Sequence, residues 1–364
     1  MSVFDLTNTT PHDARTCFFG GPVNVARYEK VRYPFFEKLI ERQLGYFWRP
    51  QEVELTRDAR DFKMLNPHEQ HIFTSNLKRQ ILLDSVQGRA PTAAFGPLAS
   101  LPEIEAWIQW WAAMEIIHSR SYTHIIRNVY PDPSQVLDGM LDIQEIVDCA
   151  KDISVSYDRL IAFNENLAPY DGTAMQYEHK KALWLALNSV NVLEGIRFYV
   201  SFACSWAFAE RGQMVGNGSV IKLIARDENL HLAGTQKMLS ILPEEDEAFK
   251  QIRFETEDQT LQMFAQAIDQ EKKWAQYLFQ DGSIIGLNEQ MLSQYVDWIA
   301  AKRMKTIGLQ TFTPRNRPNP LPWTEKWIGG SDVQVAPQET VIESYQVSAI
   351  KQDLTADTFA NFTF

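Results

Sequence analysis

The sequence predicts an all-α protein whose core is a bundle of long helices. Apolar stripes at helical spacing run through most of the chain, and strand signals are few. Several stripes are longer than an ordinary globular helix, and short connections separate them. Long helices with apolar faces and brief connections favour side-by-side packing. The chain has 364 residues, 45% of them hydrophobic, enough to fill a large core.

The elements follow in order. Asn66 and Pro67 open one helix, an Asn cap with Pro in the first turn, which is expected to reach Gly88. Pro102 opens a second, which must stop before Pro131 and Pro133. A third covers 142–166, a fourth 176–211 and a fifth 217–239. A sixth is expected from Pro243, with acidic residues in its first turn, to 280. A seventh occupies 287–306. After residue 313 the character changes: PRNRPNPLPW is proline-rich and aperiodic. The chain is therefore divided into a helical domain, 1–336, and a flexible polar tail, 337–364. The tail ends in TADTFANFTF, and its aromatics Phe359, Phe362 and Phe364 suit a docking peptide.

Composition excludes several functions. The formal net charge is −11 and no basic stripe is present, which argues against nucleic acid or an anionic membrane as partner. Cys17, Cys149 and Cys204 lie far apart, so neither a disulfide framework nor a thiolate zinc site is indicated. The start, MSVFDLTNTT, lacks a signal-peptide pattern, and the most apolar run, FYVSFACSWAFA, is too short to span a bilayer. A reducing cytoplasm is the expected location.

The chemistry-bearing residues interrupt apolar helices. In EIIHSRSYTHIIRN, Glu115 and His118 are three apart, about 60° around the helix, and Tyr122 is seven from Glu115, about 20° away. All three share one face. One such pair is weak, since standing alone it is better read as a hydrogen-bonded Glu and His. A second pair, Glu228 and His231 in ARDENLHLAG, changes the balance. Asp84 in RQILLDSVQG and Glu194 in VNVLEGIRFYV are lone carboxylates in apolar helices, and each needs a counter-charge if buried. Two lone carboxylates and two ExxH pairs, on four helices, match the ferritin-like pattern for a dimetal site at the centre of a four-helix bundle. Oxygen and imidazole donors suit iron or manganese better than zinc.

Tyr122 would then sit one turn from a ligand, where a phenol can lose one electron. Its radical would survive only if water were kept out. Leu77, Phe198, Phe202 and Ile224 can face the ligand side of their helices and form that shield, although ordinary core packing also accounts for them.

Taken together, LLDSVQGR, EIIHSRSYTHIIRN, LEGIRFYVSFAC and LIARDENLHLAGTQ resemble the metal-ligand segments of the small, radical-generating subunit of class I ribonucleotide reductase. WAQYLFQDGSIIGLN and DVQVAPQE extend the likeness from Tyr28 to the tail, closest to the aerobic enterobacterial-type branch. The resemblance implies a di-iron centre, two ions per chain with manganese as the alternative, held by Asp84, Glu115, His118, Glu194, Glu228 and His231. It implies a dioxygen-derived radical on Tyr122 and transfer through Trp48, Asp227 and Tyr345 to a separate large catalytic subunit, where ribonucleotides become deoxyribonucleotides. Trp111 resembles a residue that holds a ligand carboxylate, and Glu339 an acidic residue at the subunit contact. The resemblance also implies a homodimer and docking of the large subunit by the C-terminal tail. An iron-storage protein would be a shorter chain without such a tail. An oxygenase with its own substrate would need an open cavity where this sequence places bulky apolar side chains. His12, His68, His71, His124 and His179 have no matching carboxylate pattern and are expected to be surface or ordinary hydrogen-bonded residues.

Overall fold

A computed structural model describes residues 4–165, 173–314 and 317–328. Its helices are α1 (Pro34–Gly45), α2 (Thr56–Met64), α3 (Pro67–Gln87), α4 (Ala90–Ala94), α5 (Pro102–Val129), α6 (Pro133–Asp138) and α7 (Gln144–Glu165). They continue with α8 (Thr173–Val192), α9 (Tyr199–Glu210), α10 (Val215–Glu245), α11 (Glu247–Glu255), α12 (Glu257–Phe279), α13 (Glu289–Thr306) and α14 (Glu325–Ile328). A π-turn, Leu193–Arg197, joins α8 to α9. Among the described residues there are no strands, only the isolated bridges Phe18 to Ala99 and Ile284 to Leu287. None of the described helices is long and apolar enough to cross a membrane. The three cysteines are free and buried.

Local chemistry sets the long helices. Asn66 and Glu69 close a reciprocal capping box at the start of α3, with Pro67 in the first turn. Pro102 begins α5, which stops at Val129 before the prolines at 131 and 133. The start of α10 is capped from another helix. Asp58 of α2 accepts from the Gly216 and Asn217 amides at 3.0 and 2.6 Å, and Asp61 accepts from Met214 at 3.0 Å. Those carboxylates satisfy amides that a helix cannot pair internally and complement its positive end.

α3 packs on α5, α5 on α10 and α10 on α8, which gives the four-helix core, while α9 packs against α3 and α10. The α5–α10 contact is unusually close. A Cβ added at Gly234 would lie 2.4 Å from Trp107 Nε1, so only glycine lets the indole edge reach the α10 backbone. Around this core, α12 packs on α3 and α13, and Glu271 of α12 forms a fully buried ion pair with Arg79 of α3.

Three expected boundaries differ. The fourth helix is not continuous through 176–211, because the π-turn interrupts it inside an unbroken apolar run. α10 passes through Pro243 and ends at Glu245; the next residue, Asp246, caps α11 by accepting from Ala248 at 2.9 Å. The segment expected as one helix to 280 is instead two, broken at Thr256, whose hydroxyl donates back to the Ile252 carbonyl.

His179 illustrates an interior of mixed polarity. It is buried, stacked on Phe163 at 5.5 Å and edge-on to Phe19 at 5.0 Å, with Nε2 2.8 Å from Asn164 Oδ1. Burial holds its pKa down at about 4. The unfolded chain, with an ordinary histidine near 6.5, therefore binds this proton better. The stabilising contribution is complete above about pH 6.5 and is lost as pH falls toward 4. A shift of this size corresponds to at most about 3 kcal/mol. In urea unfolding between pH 7 and 4.5, His179→Gln is expected to show a shallower fall in stability than the unsubstituted chain; parallel curves would contradict this.

Candidate metal centre

Six side chains converge where the four core helices meet. Asp84 comes from α3, Glu115 and His118 from α5, Glu194 from the π-turn after α8, and Glu228 and His231 from α10. All six are completely buried. They form two sets, each with one ligand atom per residue inside 4.8 Å: Asp84, Glu115, His118 and Glu228, and Glu115, Glu194, Glu228 and His231. The sets share Glu115 and Glu228. Asp84, Glu115, His118, Glu194, Glu228 and His231 would together hold two cations, one in each set. The donors are hard oxygens and imidazole nitrogens, which fit iron or manganese.

The distances support that reading. His118 Nδ1 lies 3.2 Å from Glu115 and 3.3 Å from Glu228. His231 Nδ1 lies 3.1 Å from Glu115 and 3.4 Å from Glu228. Both imidazoles thus turn the same nitrogen inward. Among the described residues, both Asp84 oxygens and Glu194 Oε2 have no hydrogen-bond partner, an expensive state for buried carboxylates without a cation.

Protonation responds to the crowding. Burial, together with the charges of Glu115 and Glu228, pushes Asp84 well above the usual carboxylate range. Burial and the same two neighbours push Glu194 up. Burial would raise Glu115 as well, but hydrogen bonds from His118 and His231 bring it to about 2. Burial alone would lower the histidines. Hydrogen bonds donated to Asp227, Glu115 and Glu228 instead raise His118 well above its ordinary value, and bonds donated to Glu115 and Glu228 raise His231 to about 9.

The surroundings hold these groups in place. Trp111 Nε1 donates to Glu115 Oε1 and Glu194 Oε1, both at 3.0 Å. Gln87 Nε2 donates to the same Glu194 oxygen at 2.6 Å, and the Tyr157 hydroxyl donates to Gln87 Oε1 at 2.7 Å. On the opposite side, His118 Nε2 is 3.2 Å from Asp227 Oδ2, which also accepts from Trp48 Nε1 at 2.8 Å. Gln43 Nε2 donates to Asp227 Oδ1 at 3.0 Å. Burial would raise Asp227, but His118, Arg226 and Trp48 hold it below its ordinary value. His231 has no equivalent: among the described residues its Nε2 lacks a hydrogen-bond partner, and the rings of Trp107 and Trp111 stand 6.2 and 5.8 Å away.

Tyr122 is wholly buried, and no hydrogen bond from the described residues closes on its hydroxyl. Burial pushes its ionisation well up, and Asp84 is the charge that adds most. Leu77, Phe198, Phe202 and Ile224 are buried as expected, with Phe198 and Phe202 stacked at 5.5 Å. Sequence reasoning missed Gln43, Gln87 and Tyr157. Gln87 had a signal, since it lies three residues after Asp84 on the same face; the other two are set by tertiary contact alone. Tyr345, Glu339 and the aromatic end of the tail lie outside the described residues.

Comparison with known proteins adds an independent line. The family model for the ribonucleotide reductase small chain matches residues 26–320. Over 357 residues the chain is 51% identical to ribonucleoside-diphosphate reductase 1 subunit beta of Escherichia coli O157:H7, covering 95% of each chain. The ribonucleotide reductase R2 subunit from Clostridium botulinum has the same fold, with a TM-score of 0.80 at 23% identity over 90% of this chain and 98% of that one. Dimanganese(II)-NrdF from Streptococcus sanguinis matches at a TM-score of 0.64 and 17% identity, over 80% of this chain and 94% of that one.

The raised histidines give the centre a proton-linked signature. A divalent cation must displace the protons held by His118 and His231, so metal uptake by the metal-free protein should release protons at pH 7. Apparent affinity should rise with pH at least to about 9, where His231 gives up its proton. Manganous ion titration followed by electron paramagnetic resonance is expected to give two ions per chain, and Glu228→Ala should lose at least one. Uptake of two ions that is indifferent to pH would contradict the assignment.

Proposed function

The chain belongs to the ribonucleotide reductase small-chain family, and from that premise we propose that its buried centre holds two divalent metal ions that lead to a stable phenoxyl radical on Tyr122. Members of this family work with a large subunit in an oxidoreductase that makes deoxyribonucleotides. The reading rests chiefly on the two overlapping buried sets that share Glu115 and Glu228. Iron is our assignment, and the same donors accept manganese. When bound, the metal pair supplies the reaction with dioxygen and the oxidising power that removes one electron from the tyrosine.

The chain's own residues do the rest. Tyr122 must lose its hydroxyl proton with its electron, and Asp84 is the carboxylate whose charge bears most on that hydroxyl. Leu77, Phe198, Phe202 and Ile224 exclude the water and small reductants that would quench the product. Asp227 joins His118 to Trp48 by hydrogen bonds, so its Oδ2 can take the indole proton when Trp48 is oxidised. From Trp48 the oxidising equivalent passes to Tyr345, then to the large subunit, which the 337–364 tail docks. The chain acts as a homodimer in the cytoplasm.

Tyr122→Phe keeps the ring and removes only the hydroxyl, so stability should change by no more than about 1 kcal/mol. After ferrous iron and air, the variant should consume oxygen yet show no long-lived tyrosyl signal by electron paramagnetic resonance, and no nucleotide reduction with the large subunit. A tyrosyl signal of full amplitude would move the radical to another residue. Deleting 337–364 should have the complementary effect: the radical forms normally and nucleotide reduction is lost. Full reduction by the truncated chain would refute tail docking.

A further inference from the structure

α13 carries none of the six candidate ligands, yet it sends Arg303 into the turn that presents Glu194. Arg303 Nε donates to the Gly195 carbonyl at 3.3 Å. Its Nη2 donates to the Tyr199 hydroxyl at 2.6 Å and to Asn229 Oδ1 at 3.4 Å. The guanidinium also lies over the buried Tyr199 ring, 5.2 Å from its centroid. The stem covers the turn closely, since a Cβ at Gly195 would come within 3.1 Å of Arg303 Cγ and 3.5 Å of Leu232 Cδ2. Residues 195 and 229 each adjoin a candidate ligand, Glu194 and Glu228.

The turn is the kind of element that needs holding. A π-turn pairs residues five apart where the α-helix pairs residues four apart, so it contains one inserted residue. Returning 193–197 to the α register would rotate one side of the turn by about 100° relative to the other. Glu194 could not then keep both its bonds to Gln87 and Trp111 and its place in the centre. The two registers are discrete alternatives for the same segment.

We propose that Arg303 is a positioning residue that holds the π register of residues 193–197 and thereby the direction of the Glu194 carboxylate. It does this as a fork. One arm fixes a carbonyl of the turn, the other fixes the Tyr199 hydroxyl one helical turn further on, and the contact with Asn229 ties both to α10. A lysine has one donor centre and cannot span these groups. The inference rests on the reading that Glu194 is a metal ligand.

The test uses the full chain with Arg303→Met, which keeps the stem and removes the fork, and Arg303→Lys, which keeps the charge. In the metal-free proteins, hydrogen exchange is followed in the peptide covering 193–202 against that covering 102–129. Manganous ion binding is then titrated. Arg303→Met is expected to exchange about tenfold faster in 193–202 only, and to weaken one of the two manganous ions about tenfold, the usual scale for losing support of a ligand. Arg303→Lys should fall between it and the unsubstituted chain. Unchanged exchange in 193–202, or faster exchange with both ions bound as before, would overturn the proposal. So would a uniform rise in exchange across both peptides, the mark of a general packing role. If the unsubstituted chain itself fails to bind two ions, the ligand reading fails; if it binds two and the variants match it, only the role of Arg303 fails.

Discussion

Four carboxylates in a dry interior are the constraint on which the rest of this molecule depends. Asp84, Glu115, Glu194 and Glu228 are completely buried and share one small volume with two histidines. Ionised together, they would place four negative charges in a medium that screens them poorly, a cost far beyond the stability of any domain. Two divalent cations would bring four positive charges and cancel the sum. Without them, protons must do the work, which is why Asp84, Glu194 and both histidines are pushed up while Glu115 is driven down. The long helices, the capped start of α10 and the close seam at Gly234 serve to deliver these side chains to one point.

What could be read from the sequence follows from this constraint. Ligands on one helix are related by fixed angles, so Glu115 with His118 and Glu228 with His231 announce themselves by spacing. The lone carboxylates are legible by contrast, because Asp84 and Glu194 interrupt apolar runs. The long helices around them were equally plain, with α3 and α5 beginning where Asn66, Pro67 and Pro102 require. The π-turn was not legible, because a register slip inside an apolar run leaves no mark on composition. The ends of α10 and α11 were misread because Pro243 and its acidic neighbours look like a helix start, whereas Asp246 holds the cap. Gln43 and Arg303 act across large sequence separations, and nothing near them in the chain signals the residues they touch.

The centre is close to two-fold in its ligands but not in what lies behind them. Each half has a lone carboxylate, an imidazole and a share in Glu115 and Glu228. Behind His118 stands Asp227, bonded onward to Trp48; behind His231 stand two indoles and, among the described residues, no acceptor for its outer nitrogen. A symmetric cluster would give charge no preferred way out. Here one end is hydrogen-bonded onward and the other is walled by indoles, so on the proposed reading the centre is a terminal rather than a junction. Its polarity resides in one carboxylate, and that carboxylate faces the α1 corner of the molecule.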